Sequence, residues 1–122
     1  MGRIIHVELT TDDLHASSDF FSHAFGWQLT PSEFVEDYLS ADTGAGGGID
    51  GALMTVPHQK QPVIVWIEVQ DIHETIRDVV KAGGTADGEV HELHGEGLVT
   101  YITDPDGLVF GVKQPAATDT ML

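Results

Sequence analysis

Residues 4–27 read IIHVELTTDDLHASSDFFSHAFGW, and this stretch decides the fold because its pattern returns later in the chain. Its counterpart, 58 positions further on, is PVIVWIEVQDIHETIRDVVKAGG at residues 62–84. Asp13-Leu14-His15 aligns with Asp71-Ile72-His73, and Gly26 aligns with Gly84. In both copies an alternating apolar stretch meets an acidic turn, and a segment of about twelve residues with helical periodicity then ends at glycine. The chain is therefore predicted to contain the same strand-and-helix unit twice.

The first strand is predicted to have two unlike faces. Ile5, Val7 and Leu9 alternate with polar side chains that include His6 and Glu8. A strand sends successive side chains to opposite faces. His6 and Glu8 are therefore expected on one polar face, with the apolar side chains on the other.

Both helices carry recognisable end signals. Asp12 or Asp13 can accept hydrogen bonds from the free N–H groups of the first turn, and Gly26 can supply the left-handed cap at the other end. In the second copy, Asp71 with Glu74 three residues later has the form of a capping box. These signals predict helices that begin after residues 13 and 71.

The rest of the chain is predicted to be strands and turns. Further strands are expected over 28–30, 34–41, 51–56, within 85–93, over 98–103 and over 108–113. Each of the two copies is therefore predicted to contain one strand, one helix and three further strands. One domain is therefore expected, made of modules 1–57 and 62–114, with residues 115–122 as a tail.

Length and composition limit the possible functions. The chain has 122 residues, 41% of them hydrophobic, which suits one domain with its own core. Asp and Glu number 20 against 5 Lys and Arg, a formal charge of −15. Such a surface repels phosphate backbones and anionic lipids, so neither nucleic acid nor membrane is expected as a partner. The charge fits either a solvated acidic surface, as in high salt, or a pocket for a cationic ligand.

Two absences narrow the chemistry and the location. The sequence has no cysteine, which excludes disulfides, thiolate nucleophiles and cysteine-bound metals. It also has no apolar run of membrane-spanning length, and its N-terminus enters a strand almost at once, unlike a signal peptide. A cytoplasmic location is therefore expected.

The sequence resembles the vicinal oxygen chelate superfamily, which includes glyoxalase I, bleomycin-resistance proteins and extradiol dioxygenases. The resemblance covers nearly the whole chain and is most specific at residues 6–14 (HVELTTDDL), 24–27 (AFGW) and 104–107 (DPDG). It implies an α+β fold in which two tandem βαβββ modules form a curved mixed sheet around a small-molecule cleft. It also implies a homodimer, formed by modules that pair within one chain or are exchanged between two.

The resemblance implies four metal-ligand positions, which fall on His6, Thr55, Ile64 and Gly111. His6 keeps a ligand type, whereas Ile64 and Gly111 have no side-chain donor and threonine is a poor ligand. We therefore predict no cofactor. A divalent metal held with help from Glu8 or Glu68 is the alternative.

Three functions remain open at this stage. The leading prediction is a metal-free, bleomycin-resistance-like protein that binds a small cationic or aromatic ligand through His6, Glu8, Thr55, Trp66, Glu68 and Tyr101. The alternative is a lyase, isomerase or epimerase that transfers protons with His6 and Glu8, because histidine titrates near neutrality. The third is a dimerising protein-interaction module. The sequence names no ligand and leaves open whether the protein is catalytic.

Overall fold

The computed structural model describes residues 2–55, 61–86 and 88–117. The predicted α+β class is confirmed. In chain order the elements are β1 (Arg3–Thr11), α1 (Leu14–Phe25), β2 (Gln28–Pro31), β3 (Tyr38–Asp42), β4 (Asp50–Thr55), β5 (Val63–Glu68), α2 (Ile72–Lys81), β6 (Thr85–Ala86), β7 (His91–Leu93), β8 (Gly97–Thr103) and β9 (Val109–Pro115). The chain divides into a first unit, Ile5–Val65, and a second unit, Met1–Ile4 with Trp66–Leu122.

The first unit is a four-stranded arrangement in the order β2, β3, β4, β1. The strand β1 runs parallel to β4, and the other neighbours are antiparallel. Leu53 is opposite both Leu9 and Leu39, so three leucines form one apolar row across the strands. Residues that are directly opposite share a face of the sheet. This row therefore lies on the apolar face of the sheet, opposite the face that carries Glu8.

The helix α1 begins and ends as its sequence signals predict. The Asp13 carboxylate accepts a hydrogen bond from the Ala16 backbone N–H at 3.0 Å, and Gly26 adopts the left-handed conformation at φ 73°. The Phe21 ring stacks on Trp27 with ring centroids 4.5 Å apart. No α1 side chain is fully buried, so this helix is held by partial contacts along its length.

The second unit has strand order β5, β9, β8, β6, with β7 also pairing β8. Its core contains Ile72 of α2, Ile102 of β8 and Val112 of β9, all buried. The Gln114 side-chain oxygen accepts a hydrogen bond from the Ile72 backbone N–H at 2.9 Å. Strand β9 therefore holds α2 at two places, through Val112 in the core and through Gln114 at the helix N-terminus.

Some predicted boundaries were wrong. Residues 34–37 form a turn and not the start of a strand, because Asp37 has φ 53° and the Ser32 hydroxyl accepts from the backbone N–H groups of Phe34 and Val35. The segment 85–93 holds two short strands. Strand β9 extends to Pro115, the first residue of the predicted tail. Residue 56, predicted to end a strand, lies outside the described residues.

The cap of α2 gives a first testable prediction. The Asp71 carboxylate accepts from the Glu74 backbone N–H at 3.0 Å, and losing such a cap costs about 1 kcal/mol. Asp71→Ala should therefore lower the free energy of unfolding by about 1 kcal/mol in urea denaturation. Asp78→Ala, which removes the same charge from within the helix, is the control and should cost far less. Equal losses in the two variants would show that charge, not capping, sets the effect.

Across residues 2–55, 61–86 and 88–117, neither helix has the length and apolar character needed to cross a membrane.

Candidate functional site

The polar face of β1 is built by strand register. Glu8 is opposite Ala52 on β4, and Ala52 is in turn opposite Ser40 on β3. Because opposite residues share a face and alternate residues return to it, Tyr38 stands on the same face as Glu8 and His6. Small side chains at Ala52 and Ser40 leave room between the larger polar groups.

Three side chains on this face form one connected set. The Tyr38 hydroxyl donates a hydrogen bond to the Glu8 Oε2 at 2.5 Å. The His6 Nε2 lies 3.3 Å from the same hydroxyl oxygen. We call these residues the His6–Tyr38–Glu8 array. The array joins an imidazole to a carboxylate through a phenol.

The members of the array differ in exposure. Glu8 is only 2% exposed, whereas His6 and Tyr38 are half-buried. A buried carboxylate is tolerated when hydrogen-bond donors replace its lost water, and Tyr38 supplies one such donor. His6 is thus the ionisable end of the array that an outside molecule reaches more readily.

Thr55 is not brought together with this array. It is opposite Thr11, whereas Glu8 is opposite Ala52. An odd-numbered separation along a strand turns a side chain to the other face. Thr55 therefore points away from the face that carries His6 and Glu8.

The second unit holds Trp66 and Tyr101 against each other. Their ring centroids are 5.0 Å apart, and both residues are opposite Gly111. A Cβ added at Gly111 would lie 2.1 Å from the Trp66 ring. The Trp66 ring therefore packs over the glycine backbone, and with 8% exposure it has the geometry of a core residue. The prediction that Trp66 contacts a ligand gains no support from this packing.

Glu68 borders a surface depression of the second unit. The depression has a volume of about 410 Å³ and is lined by Glu68, Val69, Gln70, Gln114, Pro115 and Ala117. Glu68 is half-buried there. This places Glu68 at the end of β5, beside side chains that can donate and accept hydrogen bonds.

The donor set does not fit the metal site of the superfamily. Within the described part of the chain, no three His, Asp or Glu side chains are grouped so that they could hold one metal ion. Ile64 is a fully buried hydrocarbon. The space that a side chain at Gly111 would need is filled by the Trp66 ring. Ile64 therefore offers no donor atom, and Gly111 offers neither a donor nor room for one.

Tyr38 is the member of the array that the predicted contact set omitted. Its strand is separated from β1 by more than twenty residues of helix, turn and loop, so sequence spacing does not connect it to Glu8. The sequence offered one indication, a tyrosine on a predicted strand with one solvent-facing side. That signal does not say which partner the hydroxyl meets.

Comparisons with known proteins agree with the fold. The sequence profile of the glyoxalase-like domain matches residues 6–113. A lactoylglutathione lyase from Neisseria meningitidis is 24% identical over 117 residues, which covers 86% of this chain and 85% of that protein.

Two solved structures illustrate the structural similarity. Methylmalonyl-CoA epimerase from Mycobacterium tuberculosis superposes with a TM-score of 0.72 at 17% identity, covering 98% of this chain and 91% of its own. A glyoxalase/bleomycin resistance protein/dioxygenase superfamily member from Vibrio splendidus gives a TM-score of 0.68 at 19% identity, covering 93% and 99%. At these identities the similarity establishes a shared fold. With the profile match across nearly the whole chain, it shows that this protein belongs to the glyoxalase-like domain family.

Proposed function

We propose that this protein binds a small organic molecule over the polar face of β1 and catalyses proton transfer at a carbon next to a carbonyl, as an epimerase, isomerase or lyase does. The observation that carries the proposal is the His6–Tyr38–Glu8 array, which links a half-buried imidazole to a buried carboxylate. General acid–base catalysis needs a group that gains and loses protons near neutral pH, and imidazole is the side chain best suited to it. The names of several similar proteins, epimerase and lyase, support this class of reaction.

The roles within the array follow from exposure. His6 is the group that would take a proton from the bound molecule and return it. Glu8 is buried and accepts a hydrogen bond from Tyr38, and it would act through Tyr38, not by direct contact with the substrate. The predicted proton-transferring pair of His6 and Glu8 is thus proposed to act with His6 alone touching the substrate.

The charge of the first unit favours a particular class of substrate. Along the sequence, Ile5–Val65 contains nine Asp and Glu residues and a single basic residue, Lys60. A field of this sign attracts cations and repels anions, most strongly at low salt. The substrate is therefore proposed to be neutral or cationic, and multiply charged anions such as coenzyme A thioesters are disfavoured.

The proposal is tested by hydrogen exchange at carbon. The protein is incubated in D₂O with a panel of small α-CH carbonyl compounds, neutral, amine-bearing and carboxylate-bearing, together with methylmalonyl-CoA. Loss of the α-proton signal is then followed by ¹H NMR. We expect enzyme-dependent exchange with neutral or cationic members, at a rate that falls as salt is added for the cationic ones. Exchange restricted to anionic members, or absent throughout the panel, would contradict the proposal.

A second candidate is a binding protein that holds a small cationic compound without changing it. The acidic excess of the first unit favours this alternative, and a buried carboxylate could act as the counter-charge. Thermal-shift measurements with the same panel separate the two candidates. Stabilisation by amine-bearing compounds without any exchange would favour the binding protein over the enzyme.

A further inference from the structure

We propose that Tyr38 is a positioning residue that holds His6 in the tautomer with hydrogen on Nε2 and connects it to Glu8 as a store for one proton. The catalytic part of this inference rests on the proposed function, whereas the tautomer rests on the geometry of the array alone. Tyr38 belongs to a different strand from the other two residues, and its hydroxyl contacts both of them.

The tautomer follows from counting hydrogens. A phenol has one hydroxyl hydrogen, and an ionised carboxylate can only accept. With the Tyr38 hydrogen directed at Glu8 over 2.5 Å, the bond between His6 Nε2 and the Tyr38 oxygen at 3.3 Å needs its hydrogen from the imidazole. Neutral His6 then carries its hydrogen on Nε2 and its basic lone pair on Nδ1.

The hydrogens point from His6 to Tyr38 and from Tyr38 to Glu8, so a proton taken up by His6 is passed along the array toward Glu8. In the forward step the substrate C–H bond breaks, its electron pair stays on the substrate as an enolate, and its proton forms a bond to His6 Nδ1. The Nε2 hydrogen moves to the Tyr38 oxygen as the Tyr38 hydrogen moves to Glu8 Oε2. The substrate gains one negative charge and Glu8 loses one, so charge and atoms balance and His6 ends neutral.

The return step reverses every hydrogen bond without moving a side chain. Protonated Glu8 donates to Tyr38, and Tyr38 donates to Nε2, across the same heavy-atom distances. A tyrosine hydroxyl can do this because it is both donor and acceptor. A phenylalanine at this position would leave the ring in place and remove the connection.

The tautomer can be read directly by NMR. Protein carrying ¹⁵N-histidine is studied by long-range ¹H–¹⁵N correlation at a pH where His6 is neutral, and His6→Gln identifies the signals that belong to His6. We expect one Nε2–H tautomer in the wild-type protein and a mixture of both tautomers in Tyr38→Phe. Ser22→Ala is the control, because it removes an exposed hydroxyl from α1 of the same unit, and it should leave the His6 signals unchanged.

Several results would overturn the inference. A dominant Nδ1–H tautomer in the wild-type protein would show that the hydrogen bond runs the other way, and this holds even if Tyr38→Phe does not fold. Unchanged His6 signals in a folded Tyr38→Phe variant would show that Tyr38 does not hold the tautomer. The measurement needs no substrate, so its outcome is distinct from that of the exchange assay. If the exchange assay is positive, Tyr38→Phe should lower kcat about tenfold or more with KM little changed.

Discussion

Replacing Gly111 with alanine should destabilise the protein by about 3 kcal/mol. The added Cβ would stand 2.1 Å from Cδ2 and 2.3 Å from Cε2 of Trp66, far closer than two carbon atoms can approach. The Trp66 ring has nowhere to retreat, since it is 8% exposed and lies against Tyr101. The measurement is urea denaturation followed by circular dichroism.

A double-mutant cycle assigns this loss to the Trp66 contact. Gly88→Ala is the control within the second unit, because nothing lies within 4 Å of the Cβ that it adds, and it should change stability by less than about 0.5 kcal/mol. Trp66→Ala alone should cost about 3–5 kcal/mol. Adding Gly111→Ala to Trp66→Ala should then cost almost nothing. A Gly111 penalty of the same size in both backgrounds would place the clash elsewhere.

His6→Ala should lower the rate of α-proton exchange by about 10²–10⁴-fold, the usual contribution of a positioned general base. The free energy of unfolding should change by less than about 1 kcal/mol, because His6 is only half-buried. His15→Ala is the matched control. The His15 side chain is 90% exposed and pairs with Asp19 of its own helix, so its removal should leave exchange unchanged.

The kinetic constants identify the role of His6. A fall in kcat with KM unchanged would indicate an interaction made in the transition state, as the acid–base role requires. A rise in KM alone would make His6 a binding residue and favour the non-catalytic alternative. An exchange rate equal to that of the wild-type protein would contradict both roles.

The repeated stretch made the main elements predictable from sequence. The alternation in β1 and β5, the acidic caps at Asp13 and Asp71, and the left-handed glycine at Gly26 are local signals, and each appears in the structure. The turn at 34–37 was not predictable in the same way. Its apolar residues fit a strand pattern, whereas the Ser32 hydroxyl and the positive φ of Asp37 bend the backbone.

The candidate site was predictable only in part. His6 and Glu8 are two residues apart on one strand, so their position on the same face was predictable. The contact of Tyr38 with both depends on how β3, β4 and β1 are paired. Thr55 was included by aligning turns between the two copies, and the register places it on the opposite face. Pairing between distant strands is a tertiary property that no short sequence motif specifies.

The two copies have diverged at equivalent positions. Glu8 is opposite Ala52 in the first unit, and its repeat counterpart Trp66 is opposite Gly111 in the second. In one unit the small partner leaves room beside a buried carboxylate, and in the other it makes room for an indole ring. The repeat therefore predicts the strands and helices of both units, but it does not predict which side chains occupy equivalent positions.

The most direct test of the proposed site is to map a bound ligand by chemical shift. Uniformly ¹⁵N-labelled protein is titrated with the compound that exchanges fastest in the panel, and backbone amide shifts are followed residue by residue. We expect the largest changes at His6, Glu8, Tyr38 and Ala52, and changes at the same positions in Tyr38→Phe, which keeps the ring and loses only the hydroxyl. Changes confined to residues 68–70 and 114–117, around the depression beside Glu68, would contradict this expectation.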